Sequence, residues 1–276
     1  MFTYLAPNIH DQKVFVTVKT YPNLSRKYGE LVCTAGLTPE SKWLRIYPVR
    51  FRDWQQMEQF RKYQWIKVNL TKNTKDQRRE SYRPVGNEKP ELLEIIDTSH
   101  NWRERKKLVL NSDIYQGFSE PLRQRHKEHL SIITFKPTEI LGFSWEITDR
   151  YWSDNQKAYF EELDFFENKP ALTNFRKLPY KFSYQFLDKD KKKHKLMIED
   201  WEIGMLYWNC LKKTGSEMAA LELVKKKYLD EFGYKRDSYF FLGTTLRHHS
   251  TAKEPFRIIG MFTPPIAECE QMELEF

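Results

Sequence analysis

A chain of 276 residues has room for one large domain or two ordinary ones, and 40% hydrophobic with 15% aromatic residues is enough to fill a core, which excludes a disordered chain. Charge is uneven: residues 1–135 carry 24 Lys and Arg against 15 Asp and Glu, a net +9, whereas residues 136–276 carry 22 against 23, a net −1, giving the formal +8 of the whole. A basic half concentrates polyanions around it, which points to nucleic acid, DNA or RNA, ahead of an acidic protein partner.

The same inventory removes several activities. Glycine is scarce, at 10 residues, and neither G-x-G-x-x-G nor G-x-x-x-x-G-K-[ST] occurs, so dinucleotide and P-loop chemistry lack their signature and no cofactor is predicted. Cys33, Cys210 and Cys269 stand far apart without a C-x-x-C pair, as expected of reduced thiols rather than a disulfide framework or a zinc ribbon. No apolar run approaches the roughly 20 residues of a membrane helix. The first residues have neither a basic start nor an apolar stretch, so the sequence predicts a cytoplasmic protein without a membrane partner.

In chain order, Val14–Lys19 is a β-branched and aromatic strand, and Tyr21-Pro-Asn-Leu-Ser25 reads as the turn after it. Glu30–Gly36 and Lys42–Val49 are further strands joined by a connection containing Pro39. A short helix is expected over Arg52–Tyr63, then strands over Gln64–Thr71 and Glu91–Ile96. The polar stretch Lys72–Lys89 reads as a long exposed loop. Basic helices over Asn101–Leu110 and Pro121–His129 precede strands over Leu130–Phe135 and Glu139–Ile147.

Further on, Tyr180–Leu187 and His194–Ile198 form a hairpin around the charged tip Asp188–Lys193, and Asp200 caps a helix running to Lys213. Thr214-Gly-Ser-Glu217 has the capping-box form for a helix that stops at Gly233. Tyr239–Leu246 and Phe256–Phe262 make a last hairpin with His248 and His249 at its tip. The sum is an α+β protein. Residues 1–135 form a strand-rich basic region, a small barrel or curved sheet, and residues 136–276 form hairpins packed with helices at about 200–213 and 216–232.

Nucleic acids need cations for phosphates and flat faces for bases, and residues 19–52 interleave the two. Lys19, Arg26, Lys27, Arg45, Arg50 and Arg52 are the expected phosphate contacts. Trp43, Arg45 and Tyr47 share one strand face, the arrangement of a stacking platform. In the predicted loop, Arg78, Arg79 and Arg83 surround Tyr82 and could grip a backbone. Basic runs at 103–107 and 123–127 are weaker candidates, since such runs are commonly solvated faces. The run 189–195, the densest cationic cluster of the second half, reads either as a reach toward a phosphate backbone or as a solubilising hairpin tip.

For catalysis, His194 with Asp200 and Glu202 is the close grouping of acid–base types, which would suit a nuclease-type hydrolase; a cap role for Asp200 and a first-turn role for Glu202 compete with it. Asp164 with Glu167-Asn-Lys169 resembles a metal-nuclease spacing but runs into Pro170, and His126 with His129 lacks a third ligand, so no metal site is predicted. Protein–protein interaction, through an aromatic-rich surface or the acidic tail 268–276, is a third class.

Overall fold

The computed structural model describes residues 5–20, 23–25, 29–49, 59–86, 89–153 and 176–266, and they form an α+β protein with two sheets. The first sheet comprises β1 (Asn8–Lys19), β2 (Asn23–Ser25), β3 (Gly29–Leu37), β4 (Trp43–Val49), β5 (Gln64–Lys72), β6 (Ser81–Pro84) and β7 (Glu91–Ile95). At 12 residues β1 is long enough to serve two neighbours: Asn8–Val16 pairs with β5 and Phe15–Lys19 with β3, both antiparallel. β3 pairs with β4, β5 with β6, and β6 runs parallel to β4. The ring β1-β3-β4-β6-β5-β1 thereby closes into a five-stranded barrel, the connectivity of an OB-type Greek-key barrel. β2 and β7 attach outside it, on β3 and β5.

Alternation along the strands fills the barrel with Val14, Val16, Leu44, Ile46, Ile66, Val68 and Leu70, together with Tyr82. A register shift between Val16 and Val18 in the pairing with β3 brings Val18 into the same cluster as Phe15, on the outside. Gly36 sits where a Cβ would lie 2.3 Å from the Phe15 carbonyl oxygen, so no larger residue fits at this crossing.

The second sheet has the order β10-β11-β12-β14-β13-β9-β8. Its strands are β8 (Ile114–Tyr115), β9 (Ile132–Phe135), β10 (Glu139–Ile147), β11 (Tyr180–Leu187), β12 (Lys193–Ile198), β13 (Tyr239–Thr244) and β14 (Phe256–Phe262). The helices are α1 (Ser99–Leu110), α2 (Ser119–Glu128), α3 (Trp201–Thr214), α4 (Glu217–Lys225), which continues as a wider π turn over Lys226–Gly233, and the short α5 (Leu246–His249). The helices α3 and α4 lay Ile203, Tyr207, Leu221, Val224 and Tyr228 on the sheet's Phe182, Tyr184 and Phe240. As the sequence predicts, the Asp200 side chain caps α3.

Several expectations change. Residues 23–25 pair with β3 rather than only turning. The expected helix from Arg52 lies mostly outside the described residues, and Tyr63 at its end has a left-handed φ of 63°. The loop 72–89 contains β6, a staff of the barrel. Within α1, His100–Trp102 are left-handed, so regular helix begins after them. Ser216, not Thr214, caps α4, because the chain first leaves α3 through a left-handed Gly215. His248 and His249 lie in the connection of the antiparallel β13–β14 hairpin as expected, but that connection contains α5, which they end. The boundary drawn at residue 135 falls inside the second sheet, which already includes β8 and β9.

The two sheets meet over an apolar seam. Phe15, Val18, Ala35, Leu37, Tyr63 and Trp65 from the barrel's outer wall cluster with Val109 and with Ile132, Phe241, Ile259 and Phe262. Burial of this many large side chains is the main attraction between them, at about 1.5–3 kcal/mol for each one fully withdrawn from water. Among the described residues no helix is long and apolar enough to cross a membrane.

Candidate functional site

The strand face bearing Trp43, Arg45 and Tyr47 looks toward the second sheet. The Trp43 ring packs edge-to-face on Phe241 at 5.0 Å, and its Nε1 donates to Thr134 Oγ1 at 3.3 Å. Arg45 is 1% exposed; its Nη2 donates to the Ser131 carbonyl at 3.5 Å, while Nε and Nη1 meet no acceptor among the described residues. Burial, reinforced by the charge of Arg78, lowers this guanidinium to about 10. Tyr47 is half-buried. The stacking platform is therefore covered, because the apolar wall beside it is worth more against the second sheet than in water.

Lys19 is also drawn inward. Its Nζ donates to the Phe60 carbonyl at 3.2 Å and lies 5.4 Å from the Trp201 ring. Burial lowers this ammonium to about 8, against the opposing charge of Glu202. Arg26, Lys27, Arg50 and Arg52 lie outside the described residues.

The arginines of 78–83 separate. Arg78 is buried and forks onto Asp76, with Nε to Oδ1 at 2.8 Å and Nη2 to Oδ2 at 2.6 Å; its Nη1 donates to the Thr244 carbonyl. Burial would raise the Asp76 carboxyl, but the bonds and charge of Arg78 and the Ser81 hydroxyl hold it down at about 2. Arg79 is half-buried between Glu80 and Glu128. Tyr82 is a barrel-interior residue whose hydroxyl donates to the Leu5 carbonyl. Of the four, Arg83 alone is exposed.

Trp43 and Arg79 do come together, in a cleft of about 370 Å³ between barrel and sheet that Tyr115 also lines. Its charged walls, however, are Lys42 and Arg79 against Glu40, Glu80 and Asp113. One excess negative charge makes this a poor seat for phosphate.

The proposed catalytic trio divides in two. Asp200 and Glu202 hold Lys62, whose Nζ lies 3.2 Å and 2.6 Å from their oxygens. Burial raises Asp200 to about 6, with Lys62 opposing and Glu202 adding, while the two carboxylates keep Lys62 protonated. His194 points elsewhere: its Nε2 lies 2.9 Å from Asp188 Oδ2. The Asp188 carboxylate is buried, and its Oδ1 also accepts from the backbone N–H groups of Asp190 and Lys192. The His194 ring rests on Phe118 at 4.5 Å. His249 is buried beside Thr244, and burial, with the charges of Arg78, Arg125, Arg45 and His129, lowers it to about 4. Asp164, Glu167, Lys169 and the tail 267–276 lie outside the described residues. Among the described residues no group of three His, Cys, Asp or Glu side chains could hold a metal ion.

The β11–β12 tip carries the densest run of exposed lysines among the described residues of the second half. Lys189, Lys191, Lys192 and Lys193 are all exposed, and none of their ammonium groups is ion-paired with a described residue. By contrast, Lys195 on the strand behind them is tied to Glu146 at 2.5 Å. Below the tip, a cavity of about 160 Å³ opens between the hairpin, the start of α2 and residues 253–256, with His194 in its wall. The signal available in the sequence was Asp188 and His194 flanking the turn; nothing local announced Phe118.

Large aromatics are mostly internal, among them Phe15, Phe60, Phe135, Phe182, Phe186, Phe240 and Phe262, so the expected aromatic-rich surface is not found among the described residues, where Tyr151 and Tyr234 are the exposed rings. Comparison with known proteins gives two matches. Residues 10–111 match a domain of unknown function (DUF8758), and residues 117–275 match a second domain of unknown function (DUF8757). No curated protein matches the chain.

Proposed function

The chain belongs to the family described as domain of unknown function DUF8757, which spans more than half of it, and we propose that it is a nucleic-acid-binding protein gripping the phosphate backbone at the β11–β12 tip. The observation that carries this reading is the set of four exposed lysines within residues 189–193, none ion-paired with a described carboxylate although Asp190 lies among them, with a fifth, Lys253, across the cavity beside Glu254. Unpaired cations on a short turn release counterions when they meet phosphate, which drives association. OB-type barrels bind oligonucleotides on the wall corresponding to β3 and β4, but that wall is engaged here, and a fold does not by itself carry a function. The weight therefore falls on the lysines.

Anisotropy of labelled single- and double-stranded DNA and RNA across a salt series tests the reading. The expected result is a linear fall of log affinity with log salt, with a slope of about −0.9 per phosphate contact for a duplex or −0.7 for a single strand. The K191Q/K192Q/K193Q variant loses about one unit of slope per lysine that contacts phosphate. Absence of binding at low salt, or a slope untouched by the triple substitution, overturns the proposal.

A second reading, phosphodiester hydrolysis, is favoured by the Asp188–His194 pair. A histidine that gives Nε2–H to a carboxylate presents Nδ1 as a base. Cleavage by the wild type that disappears in His194→Gln supports it, and an intact strand after incubation with the wild type removes it.

A further inference from the structure

We infer that the cavity beneath the β11–β12 tip receives one unpaired nucleobase of the bound strand; this rests on the nucleic-acid reading above and adds to it what the strand must offer. The cavity's size limits the guest. At about 160 Å³ it is smaller than the roughly 300–1,000 Å³ of pockets that enclose whole drug-sized ligands, so a complete nucleotide cofactor has no place in it. One flat ring system fits if its sugar and phosphate stay outside.

The wall chemistry agrees. Phe118, Leu122, Leu196 and Phe256 supply an apolar floor, and Phe118 already supports the His194 ring from one side. Aromatic and aliphatic surfaces of this kind bind any base by its face, independent of sequence. On the edge, Asp188 fixes the imidazole through Nε2, and Nδ1 carries no hydrogen bond to a described residue, which leaves it to meet a base edge. The Asp188 carboxylate is already bonded to two backbone N–H groups and to His194, so its oxygens do not compete for the guest.

The rim then selects a polyanion over a neutral aromatic compound. Lys192 and Lys253 line the cavity with Glu254 beside them, and the exposed Lys191 and Lys193 adjoin Lys192 in the chain. Four cations thus stand against Glu254, the one lining carboxylate not already bonded within the turn, where phosphates on either side of an inserted nucleotide would run. A base held in a duplex cannot leave its stack without loss of pairing, so the site favours single strands, loops or ends.

Ser119 gives access to a test, since it lines the cavity, is exposed, and opens α2 without entering the core. The full chain and its Ser119→Trp variant, which fills the cavity, are titrated with a single-stranded oligonucleotide carrying 2-aminopurine and with a fully abasic strand of the same length. The wild type is expected to prefer the base-bearing strand by about tenfold, the range that one stacked base provides, and to change the 2-aminopurine fluorescence on binding. The variant should bind both strands as the wild type binds the abasic one, with an unchanged salt slope that also shows it folded. Equal wild-type affinity for the two strands, or a variant that retains the preference, overturns the base pocket while leaving the phosphate reading standing. A wild type that binds neither strand overturns both.

Discussion

Residues 43–49 and residues 188–194 both place cations beside rings, yet the molecule uses them in opposite ways. In β4 the alternation of a strand brings Trp43 and Arg45 to one face, and that face closes on Phe241, Thr134 and Ser131. At the β11–β12 tip the strands end, the backbone turns at a left-handed Lys191, and Lys189, Lys191, Lys192 and Lys193 stay exposed. Residue type is similar in the two places; the position relative to the neighbouring sheet decides which group meets water. A charge inside the seam needs a partner in the protein, whereas a charge at the tip is available for one outside.

Substitutions that exchange these roles sharpen the contrast. The largest effect is expected at Asp76, where Asp76→Ala leaves the buried Arg78 without its counter-charge and should cost about 3–5 kcal/mol in urea unfolding. Next, Trp43→Ala opens a space against Phe241 and should cost about 3 kcal/mol, at the lower end for such truncations because the ring is only half-buried, without altering the salt slope for nucleic acid. A change in that slope would return Trp43 to the binding surface.

Acid acts on both regions. At the tip, burial would raise the Asp188 carboxyl, but the bonds from His194 and from the Lys192 and Asp190 backbone hold it low, and in the seam other groups respond. His249 is held at about 4, below its ordinary 6.5, so the unfolded chain takes the proton first and stability is lost as pH falls from about 6.5 to 4. Asp76, held at about 2 against 3.8, adds a further loss as pH falls through that lower interval. Asp200, raised to about 6, works in the other direction, its contribution weakening as pH rises from about 4 to 6. The measurement is thus the difference between wild type and His249→Asn, in which the interval from 6.5 to 4 should flatten. Smallest of all, K191Q/K192Q/K193Q should leave unfolding within about 0.5 kcal/mol of wild type, since it touches no buried contact.

Much of the fold was legible because periodicity is local. Gln64–Thr71 and Tyr180–Leu187 alternate and became β5 and β11, Val14–Lys19 is dense in β-branched and aromatic residues and became β1, and Asp200 announced α3 as an N-cap does. What periodicity does not encode is which face a second sheet will cover. Trp43 and Arg45 alternate correctly with Leu44 and Ile46, and the sequence leaves both sides of the strand open to either layer. The polar stretch at 72–89 misled for a related reason: Asp76, Arg78 and Ser81 are polar because they satisfy one another inside the protein. The pairing of His194 with Asp188 rather than Asp200 followed from the hairpin's register, where His194 faces Phe186 across the strands.

The seam has one more consequence, for how the molecule comes apart. Residues 10–111 and 117–275 are separate as families, but Phe15, Val18 and Trp65 belong to one and Phe241, Ile259 and Phe262 to the other, and each set is the other's shelter from water. A barrel released from its companion would expose an oily wall large enough to drive self-association. Two inherited modules therefore share a single melting unit, and damage to either wall is felt by both.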